Sequence, residues 1–190
     1  VPDRYYHIVE KSIFIFIFTK KYFMSFDIIK SLTNEFTHES ANTRKLLERI
    51  PLDNPSWKPH EKSMNIHDLA VHIADLSNFI SLAIERDVMD FSIDKYVRKT
   101  VNNTEELLKI HEEGVAASLK AIAHADAEIL KNGTFTMRNG EQVFFSLPKI
   151  ATVRGMALNH LYHHRGQMTV YLRLLNIPVP GLYGPSADEH

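Results

Sequence analysis

Apolar residues recur every three to four positions from Ser25 onward, the spacing that gathers them on one side of an α-helix. Four such stretches are separated by turn-forming segments. The first is predicted from about Ser25 to Ile50, with Ser25 as a cap, Asp27 in the positive first turn, and Ile29, Leu32, Phe36, Thr43, Leu47 and Ile50 on one face. Pro51 and the following Asp-Asn-Pro segment end it. The second runs from Asn65, an N-cap with Asp68 three residues on, to about Arg86, and its stripe is Leu69, Ile73, Leu76, Phe79, Ile80 and Ala83. The third starts near Asn103, with Glu106 in the capping-box position, and reaches about His124 through Leu107, Leu108, Val115, Leu119 and Ile122. The fourth opens near Ser146 and Pro148 and continues to about Asn176, where Pro178 and Pro180 forbid continuation. Between the last two, Phe135 to Phe145 holds an Asn139-Gly140 pair flanked by β-formers, which suits a small hairpin over the bundle end. The predicted class is all-α, a four-helix bundle.

Residues 1–23 follow a different pattern, with an apolar run from Ile13 to Phe18 between Lys11 and the Lys20-Lys21 pair. That run is too short to span a bilayer and lacks the length and cleavage site of a signal peptide. Met24 directly precedes the first helical stretch, so residues 1–23 are read as an upstream extension of unknown role and residues 24–190 as one domain. Composition narrows the function. The net charge of -1 gives no basic footprint for nucleic acid, and 44% hydrophobic residues suit a globular domain without a membrane body. With no cysteine there is no disulfide framework, thiolate ligation or catalytic thiol, which fits a cytoplasmic setting. Any metal must therefore use His, Asp or Glu.

Eleven histidines change the picture, because several face inward. With His160 at 0° and about 100° per residue, the apolar stripe of the fourth helix falls between about 20° and 80°, and His164 at about 40° lies within it. His163 lies toward a flank at about -60°. On the second helix His72 falls within the arc of Leu69, Ile73, Leu76, Phe79 and Ala83, while His67 falls on the opposite side. Two imidazoles one turn apart, joined by a third from a facing helix, form a three-nitrogen set of the kind that zinc-type ions accept. A lone inward histidine is usually a satisfied core residue. Three on two helices are harder to satisfy singly, since each unpaired buried nitrogen costs on the order of 1–3 kcal/mol and a shared ion removes all three costs. His111 is inward on the third helix and is a candidate fourth ligand, outer partner or plain boundary residue. His60 lies in the loop before the second helix, and His7, His38, His67, His124 and His190 show no constellation and are expected to face solvent.

The segment Asn159-His160-Leu161-Tyr162-His163-His164-Arg165-Gly166-Gln167 resembles the signature of the DinB/YfiT-like family. Trp57 and Pro59, then Leu69-Ala70-Val71-His72, then Gly181-Leu182-Tyr183-Gly184-Pro185-Ser186 carry the resemblance along the chain, from about Ser25 to Glu189. The resemblance implies an up-down-down-up bundle, often dimeric, with a three-histidine metal site on His72, His160 and His164. It also implies one divalent ion, zinc or nickel, and, from members of known activity, thiol-dependent transfer or isomerisation using bacillithiol or mycothiol. Other members are described as stress- or damage-inducible. A homodimer and a low-molecular-weight thiol are the partners expected on this basis, with no nucleic acid and no membrane.

Three readings follow. In the first, three protein ligands leave an open position, and the protein is a metal-dependent transferase or hydrolase acting on a small electrophile. Asp75, Asn159, His163, Arg165 and Gln167 are then candidates for orienting ligands or touching substrate, each with an alternative as an ordinary helix residue. Arg165 and Gly166 have a further alternative in close helix packing. In the second, the ion fastens two helices without turnover and a fourth protein ligand, His111, closes the site. In the third, a helical interaction module binds no metal.

Overall fold

Caps fix where the helices begin. In the computed structural model, which describes residues 27–189, α1 (Ile28–Leu47) starts at Asp27, whose side chain accepts from the Lys30 backbone N–H at 3.0 Å. The expected cap Ser25, the apolar run Ile13 to Phe18, His7 and His190 lie outside the described residues. Leu32, Phe36, Thr43 and Leu47 are buried on one face of α1, and the helix stops three residues short of the expected Ile50.

The second predicted helix is two. Asn65 caps α2 (Ile66–Leu76) by accepting from Asp68 N–H at 2.7 Å, as the sequence indicates. The helix breaks at Ser77 and Asn78 and resumes as α3 (Phe79–Glu85). The Ser118 hydroxyl causes the break by entering the helical ladder: it donates to Ser77 O at 2.6 Å and accepts from Ser81 N–H at 3.1 Å, the two groups that would otherwise bond each other. Gly114 lets the partner helix approach this closely, because a Cβ there would lie 2.9 Å from Asn78 N. That partner is α4 (Thr104–His124), capped by Asn103 through Glu106 N–H. The Glu106 carboxylate accepts from Asn102 N–H at 2.7 Å, one residue before its expected capping-box partner.

The all-α expectation is overturned by a three-stranded mixed sheet in the order β1-β2-β3. β1 (Val88–Asp90) follows α3 and runs parallel to β2 (Thr134–Asn139), which pairs antiparallel with β3 (Gln142–Pro148). The predicted hairpin exists, but it is longer than expected and recruits a third strand from the connection after α3. Gly140 takes the positive φ of 57° that the turn needs, and Phe144 is the extra residue of a bulge between the pairs Met137↔Phe145 and Arg138↔Val143. The four-helix, up-down-down-up description therefore gives way to helices with a sheet added at one flank. α5 (Ala127–Asn132) joins α4 to that sheet.

The fourth helix also departs from expectation. Ser146 and Pro148 belong to β3, so the helix begins with α6 (Lys149–Thr152). Lys149 is buried and caps α3 from outside, donating from Nζ to Ile84 O at 2.9 Å and Arg86 O at 2.6 Å and pairing with Asp87 at 2.9 Å. The chain then passes through a π-helical segment, Val153–Asn159, before α7 (His160–Leu174). Two apolar clusters result. One gathers Leu46, Leu47, Ile66, Leu69, Ile73, Leu161 and Met168 around α2 and α7; the other gathers Leu32, Phe36, Ile80, Ile122 and Val153. No helix among the described residues is long and apolar enough to cross a membrane.

Candidate metal centre

Positions 72, 160 and 164 meet where α2 packs on the first turns of α7. His72 Nε2 lies 3.4 Å from His160 Nε2, and His164 Nε2 lies 2.8 Å from His160 Nε2. One nitrogen from each ring lies within 4.8 Å of the others, and all three side chains are half-buried. For three nitrogens bound tetrahedrally at about 2.0–2.1 Å, the separation between neighbours is about 3.3 Å. The His72–His160 distance already matches that edge, and the His160–His164 distance needs to open by about half an ångström. The three-histidine group can thus hold a metal ion, and the donor set of neutral imidazoles suits a borderline-soft divalent cation.

The polar surroundings favour such use. His164 Nδ1 lies 2.7 Å from Gln167 Oε1, and the His160 ring is hydrogen-bonded to the backbone of Met156, inside the π-helical segment. When the Nδ1 protons of His164 and His160 go to these acceptors, their Nε2 atoms face each other as lone pairs, an arrangement that a shared cation or proton relieves. Burial and the neighbouring His164 and His160 push His72 down to about 4. Burial likewise lowers His160 and His164. Each shift favours the neutral ring, the form that ligates a metal.

The other predicted residues separate into groups. Gln167 touches a member of the cluster. His163 is exposed, with its ring edge-on to His164 at a centroid distance of 4.9 Å, and Asn159 is exposed at the end of the π-helical segment. Asp75 acts on His72 only through its charge, because its carboxylate is taken by Lys99 Nζ at 2.7 Å and Tyr96 Oη at 3.2 Å. His111 is not in the cluster. Its Nδ1 meets Ser77 Oγ at 2.7 Å and its Nε2 meets Ser40 O at 3.1 Å, so neither nitrogen is available. Arg165 also points elsewhere: it is fully buried against α1, donating to Glu39 O at 2.9 Å and Thr43 Oγ1 at 3.2 Å and pairing with the Glu39 carboxylate and Tyr183 Oη. It fastens α7 and the C-terminal segment to α1. Gly166 meets no neighbour that would require a glycine, so close packing within the chain does not explain it.

His67 corrects a further expectation. It is half-buried, with Nε2 3.1 Å from Val101 O, where the carbonyl of the segment before α4 gives it a partner. His38 and His124 are exposed as expected, and His60 is exposed in its loop. Sequence reasoning missed the Met156 backbone, the Ser40 and Ser77 partners of His111, and the Glu39 and Tyr183 partners of Arg165. Only Tyr183 carried a signal, as part of the Gly-Leu-Tyr-Gly segment.

Comparisons with known proteins bear on the family and the fold. A family model described as DinB family matches residues 23–190. The YjoA protein of Bacillus subtilis (strain 168) is 26% identical over 145 residues, 75% of this chain and 87% of that protein. The YrdA protein of the same organism is 53% identical over 32 residues, 17% of this chain and 19% of the relative, so the chain spans under a fifth of YrdA in that match. Among solved structures, the DinB-like YjoA of B. subtilis superposes with a TM-score of 0.62 at 19% identity, covering 84% of this chain and 99% of that one. A DinB-like protein from Bacillus cereus gives 0.59 at 20% identity, covering 79% and 94%. At these identities the solved structures speak for the fold alone.

Proposed function

The chain belongs to the DinB family, and from that membership and the geometry of the histidine cluster we propose a metal-dependent transferase in which His72, His160 and His164 hold one divalent ion, zinc or nickel. Its substrates on this reading are a low-molecular-weight thiol and a small electrophile. The observation that carries it is the donor count. Three Nε2 atoms converge, and His111, the one residue singled out as a fourth ligand, has both ring nitrogens engaged by Ser77 and Ser40. An open coordination position distinguishes working sites from closed, purely structural ones.

The ion, when bound, supplies a Lewis acid that favours the thiolate form of a ligating thiol. The chain's residues do the rest. Gln167 and the Met156 backbone hold the two α7 rings in place. Leu69 and Ile73 on α2 and Leu161 and Met168 on α7, buried in one apolar cluster, fix the two helices that carry the three histidines. On this reading His163, exposed beside His164, accepts the thiol proton and releases it to solvent. Asp75, with its carboxylate held by Lys99 and Tyr96, sets the charge next to His72 without entering the cluster. A homodimer is part of this proposal and is checked by sedimentation.

The first test is metal content per chain in protein purified without a His tag or chelators. About one divalent ion in the parent, lost in His72→Ala and His164→Ala, supports the site, and a screen of bacillithiol, mycothiol and related thiols against small electrophiles then tests turnover. A parent that takes up neither zinc nor nickel at neutral pH sinks the metal reading. One tightly held ion with no thiol-dependent turnover and a large loss of stability on its removal would favour a fastening role instead.

A further inference from the structure

An imidazole ligates through the nitrogen that lacks a proton, so the partner of its other nitrogen decides which atom faces a metal. His164 and Gln167 are one turn apart on α7, and the amide oxygen Oε1 lies 2.7 Å from Nδ1. An amide oxygen accepts and does not donate. With Gln167 in this orientation, the His164 proton resides on Nδ1, and Nε2 presents a bare lone pair 2.8 Å from His160 Nε2.

The alternative is chemically reasonable for a metal-free chain. Were the proton on Nε2, His164 would donate directly to His160, and the pair would satisfy itself with no ion at all. The proton position therefore separates a cluster arranged for a cation from one closed by its own hydrogen bond. His72, by contrast, is not backed by a carboxylate, since Asp75 is occupied by Lys99 and Tyr96.

We propose that Gln167 is a positioning residue for the metal centre, holding His164 in the Nδ1–H form with Nε2 turned toward the ion. This rests on the metal reading above. Gln167 is exposed and lies among neither of the apolar clusters, so replacing it leaves the core intact.

The test uses the full chain, stripped of metal and then titrated with zinc against a competing chelator, together with Gln167→Ala and Gln167→Glu. Two-bond ¹H–¹⁵N correlation spectra of the metal-free chain report which His164 nitrogen carries the proton. The expected result is Nδ1–H in the parent and in Gln167→Glu, whose carboxylate also accepts, and a mixed or Nε2–H form in Gln167→Ala. Zinc affinity should fall about 10–100-fold in Gln167→Ala and recover in Gln167→Glu. A parent His164 protonated on Nε2, or a Gln167→Ala variant with the parent's proton position and an affinity within about twofold, overturns the role of Gln167 while leaving the metal site standing. A parent that binds no zinc or nickel overturns both, and so tells the two failures apart.

Discussion

His111 is sealed between α1, α4 and the break after α2, whereas His72, His160 and His164 meet half-buried between α2 and α7. Both regions hold inward imidazoles that burial keeps below their usual protonation range. They differ in their partners. His111 has a hydroxyl on one nitrogen and a carbonyl on the other, so it completes a polar node with Ser40 and Ser77 and ties three segments together. The other three spend their outer nitrogens on acceptors or leave them open, and turn their inner nitrogens on each other. Direction toward the core therefore does not identify a ligand. What identifies one is a nitrogen that has no protein donor to receive.

This contrast breaks most visibly in metal content. His160→Ala should abolish stoichiometric metal uptake while leaving the fold, measured by circular dichroism and denaturant titration, close to the parent. His111→Ala should do the reverse, keeping the ion and losing on the order of 2–4 kcal/mol of stability, because it leaves a cavity and strands Ser40 O and Ser77 Oγ in the core. If His111→Ala loses metal and stability together, the two regions are one unit and the distinction fails.

A smaller effect is expected at the helix break that supplies Ser77. Gly114→Ala drives a methyl group to 2.9 Å from the Asn78 backbone nitrogen and should cost about 1–3 kcal/mol. Ser118→Ala removes the hydroxyl that satisfies Ser81 N–H and Ser77 O and should cost about 1–3 kcal/mol. Urea midpoints check both, and metal stoichiometry should be unchanged in either variant. A stability gain in Ser118→Ala would mean that the ladder simply closes and that Ser118 does not impose the break.

The smallest effect is the pH dependence of the metal-free chain. His72 is about 4 in the folded state against 6.5 ordinarily, so between these values the unfolded chain carries a proton that the folded chain does not. Its contribution to stability is fully present above about 6.5 and is lost as pH falls from there through about 4. His111 is lowered too, by burial, and acts with the same sign. His72→Gln should therefore flatten part of the acid-side slope of stability against pH, and the remainder should persist. A slope identical to the parent's would show that His72 is not held neutral in the fold.

Much of the helical frame was legible because caps and periodicity are local. Asn65 and Asn103 cap where expected, and the buried faces of α1 and α2 carry the predicted stripes, whereas on α4 only Leu107 and Ile122 of the predicted stripe are buried, beside His111, Gly114, Ser118 and Ala121. The break in the second helix was not legible, since it depends on a hydroxyl from a residue about forty positions away and on the missing side chain of Gly114. The sheet escaped for a similar reason: Val88–Asp90 is too short to announce itself, and it becomes a strand by pairing with β2. At the site, the inward phase of His164 followed from the α-helical repeat after His160. The π-helical segment before it, which brings the Met156 backbone to the His160 ring, breaks the assumption of 100° per residue that placed the earlier part of the stripe.

Sequence alone determined which histidines could converge, because residues one turn apart on a helix and a third on a facing apolar stripe have little freedom in where they point. It also excluded thiolate ligands and offered the family signature that proximity later made physical sense of. Tertiary structure alone decided that His111 and Arg165 serve packing. Those outcomes depend on which hydrogen-bond partner arrives from a distant part of the chain, and a donor or acceptor supplied across the fold leaves no trace in the spacing of the residue that receives it.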